Sequence, residues 1–184
     1  MPSLKTTICL GVIFVIGLGF IFLFEAHTES TRERQRLARR VVRLSSDEVE
    51  MLRIRRDSWT SALIQRTGPG QFRVSEPVPR AVADEQVLEL LSTVEFLDYQ
   101  VVLAGEARQE DRLYQLALEP PRLEIDMAMS GEREVRLALG GAPPGGGGLY
   151  LLVRGGDDIY VVPQSLLQQA EKLLDVATGE PEPG

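Results

Sequence analysis

Three hydrophobic patterns divide the chain. In the first, residues 6–24 carry no charge and no period: apolar and glycine positions fill Ile8 to Phe24 without a break. At ~1.5 Å per residue, 19 residues of helix reach roughly 28 Å, about one hydrocarbon core. A helix apolar on every side needs apolar surroundings on every side. The pattern predicts a transmembrane helix, with Ile8, Phe14, Ile16, Phe20 and Phe24 against lipid and residues 1–5 as a short tail. The 17 positions from Ile8 to Phe24 exceed most signal-peptide cores. A cut after Ala26 would place bulky Phe24 where cleavage wants a small residue. We therefore read a retained anchor rather than a cleaved leader.

The second pattern is polar. Residues 25–46 read as a helical stalk, with Ser30 and Glu33 spaced as a capping box and Leu37, Val41 and Leu44 left to pack on the domain beyond. Arg32, Arg34, Arg36, Arg39 and Arg40 crowd this stretch. They could clamp anionic headgroups if the segment faces the cytoplasm. A solvated stalk is the simpler reading, because Glu29 and Glu33 are interleaved with them.

The third pattern alternates. Residues 47–176 read as one α+β domain of antiparallel strands covered by two amphipathic helices. Strands are predicted at Met51–Arg55, Trp59–Arg66 and Gln71–Ser75, with Thr67-Gly68-Pro69-Gly70 turning between the last two. Val87, Leu90, Leu91, Val94 and Leu97 then repeat at helical spacing behind Asp84, a candidate cap. Tyr99–Leu103 reads as a short strand, and Gly105–Arg112 as a polar loop or a frayed helical turn. After Pro120-Pro121 the plan begins again. Strands are predicted at Leu123–Met129, Val135–Leu139, Tyr150–Val153 and Ile159–Val162. Pro163 then opens a helix with Leu166, Leu167, Ala170, Leu173 and Leu174 on one face. The repeat suggests two similar β-β-β-α halves, residues 49–97 and 123–174. Residues 177–184, with two prolines and two acids, read as a disordered tail.

Charge narrows the partners. The chain of 184 residues carries net −7, yet Glu25–Arg56 holds 9 arginines against 6 acids. From Asp57 onward 21 acids face 10 bases, so the domain would be repelled by nucleic acid. Lys5 and the amino terminus favour a cytoplasmic N-terminus, whereas the stalk arginines, weighed alone, favour a cytoplasmic domain. Cys9, the single cysteine, lies inside the apolar run, which rules out an intrachain disulfide. His27, the single histidine, precedes the domain, so no Ser–His–Asp or Cys/His zinc site is expected inside it.

What chemistry remains is carboxylate chemistry. Glu124 and Asp126 share one strand face and could serve a glycosidase or a hard cation. The opposite face of that strand is wholly apolar, so the plain expectation is that both acids face water. Asp157-Asp158 after two glycines reads as a turn with weak calcium potential. Gly145–Gly148 lacks the Gly-Lys-Ser/Thr of a phosphate cradle and reads as an inter-strand loop. No cofactor, metal or catalytic residue is expected.

Several stretches resemble a family of bacterial membrane-anchored proteins, domain-of-unknown-function family 4340. They are Gln71-Phe72-Arg73-Val74-Ser75-Glu76-Pro77 with the Asp84–Leu97 helix, and Tyr114-Gln115-Leu116-Ala117-Leu118-Glu119-Pro120-Pro121-Arg122-Leu123. The Gly145–Val153 loop-strand and Ile159-Tyr160-Val161-Val162-Pro163-Gln164-Ser165-Leu166-Leu167 are also similar. The resemblance spans about Val49 to Asp175 together with the N-terminal helix. It carries no catalytic residues. It implies a single-pass protein of the bacterial inner membrane with its domain outside the cytoplasm. It also implies an accessory role with an envelope protein partner, such as an ABC-type transporter complex. The Arg-rich stalk departs from that pattern. Two alternatives stand beside this expectation: an extracytoplasmic carboxylate enzyme or carbohydrate binder, and a cytoplasmic-facing sensor of anionic lipid.

Overall fold

A computed structural model describes residues 39–179. The expected anchor, most of the stalk, Cys9, His27 and the last residues of the tail lie outside them. The described residues form an α+β domain with one nine-stranded antiparallel sheet and three helices.

The strands are β1 (Val49–Arg55), β2 (Ser61–Gly68), β3 (Gln71–Glu76), β4 (Arg80–Ala81), β5 (Val101–Leu103), β6 (Leu123–Met129), β7 (Glu134–Leu139), β8 (Leu149–Val153) and β9 (Ile159–Val162). The helices are α1 (Asp84–Glu95), α2 (Glu110–Gln115) and α3 (Ser165–Thr178). Across the sheet the order is β4-β3-β2-β1-β6-β7-β8-β9-β5. Each half is thus a four-strand meander followed by a helix. The two meanders join through their first strands, with Leu52 opposite Met127 and Ile54 opposite Ile125. β5 belongs to neither meander; it closes the far edge against β9.

Alternation decides what each face buries. Leu52 and Ile54 of β1, Ala62 and Ile64 of β2, Phe72 and Val74 of β3, and Leu123, Ile125, Met127 and Met129 of β6 point to one side. There α1 contributes Val87, Leu90, Leu91 and Val94, and α3 contributes Leu166, Leu167, Ala170, Leu173, Leu174 and Ala177. α3 rests on β1 and β2 and touches α1; α1 rests on β3. At ~1.5–3 kcal/mol per large side chain, each helix contributes on the order of 10 kcal/mol before its ordering entropy is charged.

A second, smaller core lies on the opposite side of the sheet. Ala138, Tyr150, Leu152, Ile159 and Val161 of β7–β9 pack there with Leu116 and Leu118, against Leu103, Ala107 and Leu113. Strands buried on both faces need apolar residues in succession, which is what Leu149–Leu152 and Ile159–Val162 supply.

Four expectations are corrected. The second strand does not begin at Trp59: that residue stands in the turn before Ser61, because Asp57 accepts hydrogen bonds from the backbone N–H groups of Trp59 and Thr60, both 2.7 Å. Asp84 does not cap its helix; its carboxylate accepts the Phe72 N–H at 2.7 Å and ties α1 to β3. Of the two readings of Gly105–Arg112, the helical turn is the one found: a 3-10 turn at Glu106–Arg108 leads into α2. Pro163 precedes α3 rather than sitting in its first turn. Finally, Arg40–Leu44 is not helical. Val41 donates to the Leu97 carbonyl at 3.0 Å, and Val42 and Leu44 are buried, so the domain holds this segment as an extended strap. The two adjacent valines favour that conformation.

Candidate functional site

The other face of the β1–β6 seam is open, and its polar positions form a charged ladder. β1 contributes Arg53 and Arg55, and β6 contributes Glu124 and Asp126. The register sets Arg55 opposite Glu124 and Arg53 opposite Asp126. On the next strand Arg136 stands opposite Asp126 from the other side. Arginine and carboxylate spaced by two on neighbouring strands are cross-strand partners by construction.

Glu124 is the better held of the two acids. Its carboxylate takes Arg55 on one oxygen and Arg154 on the other, the latter at 2.9 Å. Arg154 in turn reaches Glu119 at 2.7 Å. Burial pushes Glu124 up, but the Arg154 and Arg55 guanidiniums outweigh it and hold the carboxyl below its ordinary range. The same contacts raise Arg154 against the effect of burial.

Asp126 behaves in the opposite way. It stands between two arginines whose hydrogen bonds and closer ion pairs go elsewhere: Arg136 bonds Glu134 at 2.7 Å, and Arg53 lies 3.9 Å from Glu76. Its own nearest cation is Arg55, at 4.0 Å. Burial, then the Glu124 charge, push Asp126 above its ordinary value. A shallow groove of about 270 Å³ opens beside it, with Met51, Arg53, Ala128, Glu134 and Arg136 on its walls. Neither acid simply faces water: their side chains are only 17% and 31% exposed.

The remaining candidates sit apart. Asp158 accepts the Gly105 N–H at 2.9 Å and Asp157 pairs with Arg108, so both pin the β5–α2 excursion to the β8–β9 turn. Gly145, Gly146 and Gly147 are exposed with positive φ in the β7–β8 connection. Gly148 is buried, and a Cβ there would lie 2.8 Å from the Val162 carbonyl oxygen. Arg39 is exposed, and Arg40 forms an isolated antiparallel backbone bridge with Asp98 while its guanidinium stacks 4.8 Å over the Phe96 ring. Arg32, Arg34, Arg36 and the anchor residues lie outside the described residues. Among the described residues no group of three or more His, Cys, Asp or Glu is placed to hold a metal ion, and no helix is long and apolar enough to cross a membrane.

Sequence reasoning singled out the acids but missed Arg55 and Arg154. A signal existed for the first: Arg53-Ile54-Arg55 and Glu124-Ile125-Asp126 are the same alternation with opposite charge. No family model, no curated protein and no solved structure matches this chain.

Proposed function

We propose that this chain is a single-pass protein of the bacterial inner membrane whose α+β domain lies outside the cytoplasm. There it works without catalysis, as an accessory that binds another envelope protein. The observation that carries the reading is the uncharged run of residues 6–24, long enough for one bilayer crossing, ahead of a separate domain. Polar residues 25–38 follow it in the sequence. An ABC-type transporter complex is the partner class suggested by the resemblance to family 4340. On the open face, Glu124 is saturated by two guanidiniums, which suits a rigid contact surface better than proton transfer. Two experiments test this reading. A dual reporter fused to the C-terminus should be active only as an extracytoplasmic fusion. Crosslinking in membranes, followed by pull-down of the full chain, should recover one defined envelope protein. A cytoplasmic signal, or recovery of abundant background proteins alone, would overturn it.

One observation favours a second reading, a carboxylate site. Glu124 and Asp126 share one half-buried strand face, a groove of about 270 Å³ opens beside Asp126, and their surroundings push their ionisation in opposite directions, as in general acid and base pairs. Turnover or sugar binding that vanishes in Asp126→Asn, with the fold intact, would establish it.

A further inference from the structure

Trp59 is 95% exposed, an unusual state for a large aromatic side chain. It is nonetheless held firmly. The Asp57 carboxylate accepts from both Trp59 N–H and Thr60 N–H, and Arg56 N–H donates to the Thr60 carbonyl at 3.0 Å, so the turn presents the indole on a fixed base. Two more apolar side chains belong to the same end of the sheet. Arg55 pairs with Ser61 and Leu63 with Glu76, so the β1–β2 turn and the β3–β4 turn are neighbours. The second of these turns carries Val78, 55% exposed between two prolines. The last turn of α3 is fastened to this end by Arg56 and Asp175, 2.8 Å apart, and carries Val176, 37% exposed.

We infer that this end, with Trp59 at its tip, dips into the interfacial layer of a lipid bilayer. The inference rests on the membrane-anchored reading above. An anchored chain meets a bilayer surface at every moment. Indole is the side chain that best fits the headgroup level, its ring apolar and its N–H wet. Asp175 is paired with Arg56, whereas Asp57, held ionised by its two backbone donors, leaves one negative charge beside the indole, so attachment rests on apolar burial and not on attraction to anionic headgroups. The contact should therefore survive added salt, unlike one made by a basic patch.

Trp59 is the only tryptophan in the chain, so tryptophan emission reports on it alone. The full chain is reconstituted into phosphatidylethanolamine–phosphatidylglycerol vesicles with and without brominated acyl chains. The expected result is blue-shifted emission, quenching by brominated lipid and protection from aqueous acrylamide. A control chain carries Trp59→Phe and Tyr114→Trp, moving the probe to α2. There acrylamide should quench and brominated lipid should not. If the chain stays with vesicles through an alkaline wash but Trp59 keeps water-like emission, this inference is overturned and the anchor stands. Shielding from acrylamide without lipid quenching also overturns it, because the indole is then covered by protein. Equal lipid quenching of both probes overturns it as well, because no one end is preferred. Loss of the chain from the vesicles would remove the anchor and this contact together.

Discussion

Glu124 and Asp126 show how far two identical charges, two residues apart on one strand, can differ. Glu124 ionises below its ordinary value, so its stabilising effect is complete above about pH 4.5 and is lost as pH falls through the lower folded value. Asp126 ionises above its ordinary 3.8, so its charge opposes folding at neutral pH and that cost is relieved as pH falls through its raised value. Glu124→Gln should therefore lower stability by about 1–3 kcal/mol at pH 7, since two guanidiniums lose a charged partner. Asp126→Asn should be neutral or stabilising at pH 7, with the difference from the parent shrinking towards pH 4. Urea titration across that range checks both. Equal destabilisation by the two substitutions would contradict the ladder. Glycines make a similar pair. A Cβ on Gly140 would collide with the Leu116 carbonyl oxygen and lie 3.0 Å from the Leu118 side chain, whereas at Gly141 the nearest atom is 3.6 Å away. Gly140→Ala should cost about 1–3 kcal/mol by overpacking, and Gly141→Ala well under half of that. Thermal denaturation of the two variants decides it.

The elements differ in how openly they announce themselves. α3 is the clearest: its stripe from Leu166 to Leu174 is fully buried, and Leu173→Ala should cost about 2–5 kcal/mol, against less than about 0.5 kcal/mol for Lys172→Ala on the wet side. Denaturant midpoints test this, and near-equal costs would mean α3 is not seated as described. β6 and β9 are equally plain because strict alternation or an apolar run fixes them. β4 has two residues behind Pro79, too few for any period to show. β5 is visible as a strand, but nothing local says that it crosses to β9, because that choice belongs to the Val101–Val161 pairing. α2 is hidden because only Leu113 of its six residues packs inward, beside Leu116 and Leu118 just after it. The site is half legible for the same reason: alternation places Glu124 and Asp126 on the polar face, while Arg154, which reaches Glu124 from the turn after β8, is found only by folding the chain.

At the scale of the molecule, two meanders of similar plan meet along one seam, and both long helices lie on the same side of it. Among the described residues, the β1–β6 pairing, with Ile54 against Ile125 and Leu52 against Met127, is the only strand pairing that joins β1–β4 to the rest of the sheet. A proline at Ile125, which removes a ladder donor at a central strand, should therefore abolish the cooperative transition of the whole domain rather than of one half. Two separated transitions in calorimetry would show that the halves fold independently. The seam also has a history in time. β1 is made early, yet the edge it offers stays without its β6 neighbour until β2, β3, β4, α1, β5 and α2 have all left the ribosome. A nascent chain in that condition carries a bare, apolar-backed strand edge, the kind of surface on which polypeptides aggregate. Misfolding of this protein during synthesis should therefore concentrate in the interval between the emergence of its first strand and its sixth.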